Sequence, residues 1–209
     1  MKNKFPSKGL YAITPNGLDA NTLYAKVEQA LQGGIALLQY RDKTNAAEEK
    51  LQRANHLHTL CLKYSVPLII NDDPDLALAC KAEGVHLGQV DGSVQKARVL
   101  LGDSAIIGVT CHHDISLAVT AQQQGADYVA FGRFYNSNTK PGAPLATTEL
   151  LTQAKTELSI PTVAIGGINH INAQALVNMG ADYIAVIEKI FLANDIKNSC
   201  QRFNHLFEA

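Results

Sequence analysis

The chain has 209 residues, 46% of them apolar and 18% charged, with a formal net charge of −1. That balance excludes a disordered chain, a basic nucleic-acid surface and an acidic tail, and points to one domain, residues 1–209, acting on small molecules. Four cysteines, Cys61, Cys80, Cys111 and Cys200, lie far apart with no CxxC pair, which fits free thiols in a reducing cytoplasm better than a disulfide framework.

The basic start, Met1 to Lys8, is not followed by a long apolar run, so neither a signal peptide nor a membrane span is expected. Short apolar runs then alternate with longer segments of helical spacing, the pattern of βα units and a parallel sheet. The predicted strands are Leu10–Thr14, Ile35–Tyr40, Leu68–Ile70, Val85–Leu87, Ala105–Val109, Tyr128–Phe131, Thr162–Ile165 and Tyr183–Ile187. Eight such units in this length predict an α/β fold, a single (β/α)8 TIM barrel, with its chemistry at the carboxyl ends of the strands.

Between the first two predicted strands, Leu23, Val27, Ala30 and Leu31 recur at helical spacing before Gly33-Gly34. Gly84, Gly125 and Gly180 likewise precede the fourth, sixth and eighth strands, and each is expected to supply the left-handed turn that stops a helix. Proline instead opens the third and seventh strands, at Pro67 and Pro161. Two kinds of unit therefore alternate.

Beyond the second strand, Gln39, Arg41 and Lys43 fall at every other position, which directs an amide and two cations to one side, as a polyanion such as phosphate requires. The third strand stops at Asn71-Asp72-Asp73. Asp73 precedes Pro74 and reads as a helix N-cap, leaving Asp72 to point inward. Asp91 follows Val85–Leu87 and reads either as the partner of Asp72 or as a cap for a helix beginning near Ser93. Two strand-end carboxylates beside an anion site suit Mg²⁺, which takes few protein ligands and keeps waters and phosphate oxygens. Zinc is disfavoured, because the seven histidines and four cysteines show no ligand spacing; His112-His113 reads as a helix start.

After the sixth strand, Arg133 to Gly142 is rich in hydroxyls and amides with one lysine, the makeup of a phosphate cradle or of an inert surface loop. After the seventh, Gly166-Gly167 occupies the place where barrel amides commonly receive phosphate, and where a tight turn also favours glycine.

Taken together, Tyr11-Ala12-Ile13-Thr14, Gln39-Tyr40-Arg41-Asp42-Lys43, Asn71-Asp72, Gly84-Val85-His86-Leu87-Gly88-Gln89 with Asp91, Gly108-Val109-Thr110, Ser137-Asn138-Thr139-Lys140 and Ala164-Ile165-Gly166-Gly167-Ile168 resemble, in order, the motif series of thiamine-phosphate synthases. The resemblance spans nearly the entire chain. It implies a transferase that joins 4-amino-2-methyl-5-diphosphomethylpyrimidine to a thiazole phosphate and releases pyrophosphate, with Mg²⁺ as cofactor. It also implies the metal on Asp72 and Asp91, and the pyrimidine diphosphate on Gln39, Tyr40, Arg41, Asp42, Lys43, Asn71, Thr110 and Lys140. The thiazole phosphate would lie on Ser137, Asn138, Thr139, Gly167, Ile187 and Glu188. Arg41, Lys43 and Lys140 would be catalytic, neutralising the departing diphosphate. The partners implied are these two small-molecule substrates, with no nucleic acid and no membrane; a homo-oligomer is left open.

The chain departs from the pattern at Thr110 and Ser137, which keep a hydroxyl, and at Arg133 and Asn136, which replace prolines. The largest departure is Glu188, where a small residue is usual. A carboxylate repels phosphate at close range, unless its side chain points to solvent at the first turn of the last helix. Two other readings stand beside the first: a thiazole tautomerase on the same barrel, and a non-catalytic phosphate-binding barrel. Retention of Arg41, Lys43, Asp72, Asp91 and Lys140 together argues against the tautomerase.

Overall fold

The computed structural model describes residues 6–136 and 145–208. Eight parallel strands, β1 (Gly9–Ile13), β2 (Leu37–Tyr40), β3 (Leu68–Asn71), β4 (Gly84–Leu87), β5 (Ile106–His112), β6 (Tyr128–Phe131), β7 (Thr162–Ile165) and β8 (Tyr183–Val186), pair in chain order and close, β8 against β1. The helices are α1 (Ala20–Gln32), α2 (Ala47–Tyr64), α3 (Pro74–Ala79), α4 (Val94–Leu101), α5 (Ile115–Gln123), α6 (Glu149–Glu157), α7 (Ala173–Asn178), α8 (Glu188–Phe191) and α9 (Ile196–Asn204). This is the predicted (β/α)8 barrel.

Period two divides each strand between two cores. On β1, Tyr11 and Ile13 join Leu37, Ile69, Tyr128 and Tyr183 inside the barrel, while Leu10 and Ala12 pack outward with the helices. All four cysteines are buried and free, as expected.

Glycine explains some turns and not others. Gly34, Gly125 and Gly180 have φ of 83°, 90° and 109°, the left-handed conformation expected at a helix end. Gly84 does not: the left-handed residue after α3 is Lys81, at φ 58°, and Gly84 already lies in β4. A Cβ there would stand 1.9 Å from the Ile106 carbonyl oxygen, so Gly84 is required by the close passage of β5. His112 is a second correction. It ends β5, past a register shift opposite β6, and the helix start belongs to Asp114, whose carboxylate accepts the Ser116 amide.

The alternation of units has a physical counterpart at the amino end of the barrel. Glu83, Asp127 and Asp182 each precede an even strand, and each carboxylate accepts an amide at the start of the preceding odd one. Leu68 N donates to Glu83, Ile107 N to Asp127 and Thr162 N to Asp182, all at 2.8 Å. The Arg98 guanidinium bonds Asp127 at 2.6 Å and also donates to the carbonyl of Gly125. These clamps satisfy strand-end amides that the ladder leaves over.

Asp182→Ala removes the acceptor for both the amide and the hydroxyl of Thr162. It is expected to cost about 2 kcal/mol, lowering the thermal midpoint by roughly 4–8 °C, whereas Asp182→Asn, which keeps an acceptor, loses less; thermal unfolding by circular dichroism reads the difference.

Candidate active site

The carboxyl ends of β2, β3 and β4 enclose a cavity of about 400 Å³, bordered by Lys43, Lys50, Asn71, Asp72, Asp91 and residues around them. Asp73 caps α3 by accepting the Leu76 amide, with Pro74 at the first helical position, as its sequence context predicts. Asp72 is thereby left to the mouth. Its backbone is left-handed, φ 63°, while its amide still donates to the His86 carbonyl at 2.8 Å. A short polar side chain tolerates that conformation better than most.

Asp91 is not a helix cap, since Ser93 caps α4. Its carboxylate accepts the Gly88 amide at 3.0 Å and touches the carboxylate of Asp72, to which the Lys43 ammonium is also bonded. The two acids are driven apart in affinity for protons. Burial pushes Asp72 up, but the Lys43 ammonium, with Asp91 and Asn71 beside it, holds it below the usual carboxylate range. Burial and the adjacent Asp72 charge push Asp91 above that range.

This donor set fits a hard divalent cation. Two touching carboxylates repel when both are ionised, and an oxygen-ligated cation between them relieves that repulsion. Among the described residues no group of three or more His, Cys, Asp or Glu side chains could hold a metal.

The expected anion site is divided in its roles. Lys43 reaches Asp72; its amide donates to Asn16 Oδ1 at 3.1 Å. The Thr14 hydroxyl accepts the Arg41 amide at 2.9 Å and donates to the Arg41 carbonyl, fixing the backbone while the guanidinium has no ion-pair or hydrogen-bond partner among the described residues. Asp42 serves its own loop, accepting the amides of Thr44 and Asn45, the Asn45 side chain and the Tyr40 hydroxyl. Burial opposes its ionisation, yet those donors hold it well below the usual range. Tyr40 faces the outer core. Gln39 is buried inside the barrel and donates to the Tyr11 hydroxyl at 2.8 Å.

Ser137, Asn138, Thr139 and Lys140 lie outside the described residues. Gly166 and Gly167 have φ of 102° and 66°, the left-handed conformation for which a tight turn favours glycine, and close packing adds a second reason. A Cβ on Gly166 would stand 2.3 Å from Arg133 Cβ, and one on Gly167 2.3 Å from the Asn136 carbonyl oxygen. The root of the β6 loop lies across them, with Phe134 and Tyr135 donating their amides to the Ile165 and Gly166 carbonyls at 3.1 and 3.0 Å. Ile187 is the N-cap of α8, and Glu188 is exposed in its first turn.

Sequence reasoning missed the polar column inside the barrel. Tyr11 and Tyr128 join through their hydroxyls at 2.8 Å, His86 Nδ1 meets Tyr128 at 2.9 Å and His86 Nε2 meets the Thr110 hydroxyl at 2.8 Å. A polar residue at the inward parity of each strand, Gln39, His86 and Thr110, was the available signal. Lys50, on α2, is a second missed feature, adding a cation to the lining of the same cavity.

The profile of the family described as thiamine monophosphate synthase matches residues 10–190. The thiamine-phosphate synthase of Marinobacter nauticus is 54% identical over 202 residues, covering 95% of this chain and 90% of that protein. The one from Methylococcus capsulatus is 46% identical, covering 100% of this chain and 95% of its own length. Among solved structures, the thiamine phosphate pyrophosphorylase of Pyrococcus furiosus superposes with a TM-score of 0.86 at 31% identity, covering 99% of this chain and 97% of that one. A match of this extent over a (β/α)8 barrel shows that the chain belongs to the thiamine monophosphate synthase family of transferases.

Proposed function

We propose that the chain joins the aminopyrimidine diphosphate to the thiazole phosphate at the mouth formed by β2, β3 and β4, releasing pyrophosphate, and that it works with Mg²⁺ on Asp72 and Asp91. The observation that carries this reading is the Asp72–Asp91 pair with Lys43 bonded to it, while the Arg41 guanidinium has no ion-pair or hydrogen-bond partner among the described residues. Bound there, Mg²⁺ would supply positive charge to the diphosphate. Arg41 and Lys43 bind the same phosphate oxygens, Lys140 is assigned the same role by its motif, and together they favour departure of pyrophosphate. The substituted methylene carbon gains cationic character, which the electron-rich aminopyrimidine stabilises, and the thiazole nitrogen attacks it. Charge stabilisation and positioning carry the reaction, with no general base required.

Asn71 stands where it can meet the pyrimidine diphosphate, and Gly167, Ile187 and Glu188 are assigned the thiazole phosphate with Ser137 to Thr139. The exposed position of Glu188 supports a benign reading of that departure, its charge in solvent at the first turn of α8. A cytoplasmic location accords with four free thiols. Among the described residues no helix is long and apolar enough to cross a membrane.

Incubation of the purified chain with both substrates and Mg²⁺ is expected to yield thiamine phosphate and pyrophosphate. A tautomerase would convert thiazole isomers without the pyrimidine, and a non-catalytic barrel would bind without turnover. Asp72→Ala is expected to lower kcat/KM roughly 100-fold; undiminished turnover at limiting Mg²⁺ removes the metal assignment. Because Asp91 is raised above the ordinary range, a proton competes with the metal there. The apparent Mg²⁺ affinity is therefore expected to weaken as pH falls through the Asp91 pKa and to level off above it, read by Mg²⁺ titrations of activity across pH. Glu188→Ser is expected to change the Michaelis constant for thiazole phosphate less than about threefold, the scale of an exposed charge; a large fall would show that Glu188 repels the ligand.

A further inference from the structure

We propose that His170 and Ser199 are positioning residues for the thiazole phosphate, their hydrogen bonds bracing the turn that carries Gly167 against the helix that begins at Glu188. The inference rests on the assignment of that phosphate to Gly167, Ile187 and Glu188 proposed above, and adds two residues outside the motif series.

The helix α8 is a single turn of four residues, too short to hold its conformation unaided. Its own hydrogen bonds are soon used up. The amides of Ile190 and Phe191 go to the Ile187 carbonyl, that of Leu192 to Glu188 and that of Ala193 to Ile190, so the Lys189 carbonyl is left over. What places the turn comes from elsewhere in the barrel. Ile190 and Phe191 are buried, the Lys26 ammonium of α1 donates to the Phe191 carbonyl, and the Ser199 hydroxyl of α9 donates to the Lys189 carbonyl at 2.7 Å.

A carbonyl only accepts, so Ser199 gives its single proton to Lys189, and its oxygen meets His170 Nε2 at 3.0 Å as an acceptor. His170 is therefore the donor. Burial, with the Arg202 and Lys189 cations nearby, holds the imidazole below its ordinary range, so above pH 7 it is neutral and keeps its one proton on Nε2. Its ring lies on that of the buried Phe203, centroids 4.0 Å apart, which fixes its direction.

At its own end His170 stands in a turn knit by two asparagines. Asn169 N donates to Asn172 Oδ1 at 2.8 Å, Ile171 N to Asn169 Oδ1 at 2.8 Å, and Asn172 Nδ2 to the Gly167 carbonyl at 3.1 Å. The pairing of β7 with β8 reaches only Ile165 and Ala185, and both phosphate segments lie beyond it. The His170–Ser199 bridge joins them where the ladder stops. A phosphate held from two separate segments needs them at one spacing, and the bridge resists a shift of either.

The test assays the purified chain with each substrate varied in turn at saturating Mg²⁺. His170→Phe keeps a ring against Phe203 and removes the donor; His170→Gln gives up the ring and keeps a donor. His170→Phe is expected to raise the Michaelis constant for the thiazole phosphate about fivefold, the scale of one hydrogen bond, with that for the pyrimidine diphosphate changed less than about twofold. His170→Gln is expected to stay within about twofold of wild type for both substrates. Ser199→Ala breaks the same bridge with little change of volume; it is expected to match His170→Phe, and it decides the inference if His170→Phe fails to fold. An unchanged thiazole phosphate constant in Ser199→Ala, an equal rise for both substrates, or a larger rise in His170→Gln than in His170→Phe would overturn the positioning role. A wild-type chain that makes no thiamine phosphate counts instead against the proposed function, and the inference falls with it.

Discussion

Two carboxylates cannot stay in contact on a barrel rim unless positive charge or a proton lies between them, and the mouth is arranged around that requirement. Asp72 and Asp91 come from consecutive βα units, and each is released for the pair by a neighbour that takes over the capping duty, Asp73 for α3 and Ser93 for α4. The Gly88 amide and the Lys43 ammonium supply part of the compensation from within the chain. What is left over is local negative potential, the setting in which the counter-cation of a diphosphate would be held.

The opposite end of the barrel shows the same chemistry put to another use. Glu83, Asp127 and Asp182 are also strand-end carboxylates, but each is bonded to a backbone amide. A carboxylate committed to the ladder contributes to stability and has little capacity left for a ligand. The asymmetry between the two rims follows the general division of such barrels into a structural end and a chemical end.

The strands were legible because buried parallel strands are short unbroken apolar runs, and the described ones fall within three residues of the predicted ends. The cap at Asp73 was legible because proline at the next position leaves few alternatives. Other positions depend on partners distant in sequence. Gly84 stands directly at its strand, whereas Gly125 and Gly180 stand three residues ahead of theirs, and its cause is the backbone of Ile106. Asp42 stands in the middle of a cationic motif and serves its own loop. The polar column escaped notice because its members come from five different strands, and only closure of the sheet brings His86 between Tyr128 and Thr110. For the candidate site, the carboxylate pair and Lys43 were readable from position, while the division of labour among residues 39–43 needed three dimensions.

The glycine pair after β7 ties two loops that are more than thirty residues apart in sequence. Arg133 to Asn136 lie on Gly166 and Gly167 with no room for a methyl group, so the landing surface and the segment that lands on it form one module. Exchange of the β6 loop between homologous barrels, by recombination or by grafting, succeeds only when the matching turn travels with it. Sequence drift at Arg133 and Asn136 is correspondingly tolerated only where the backbone path over the glycines is preserved.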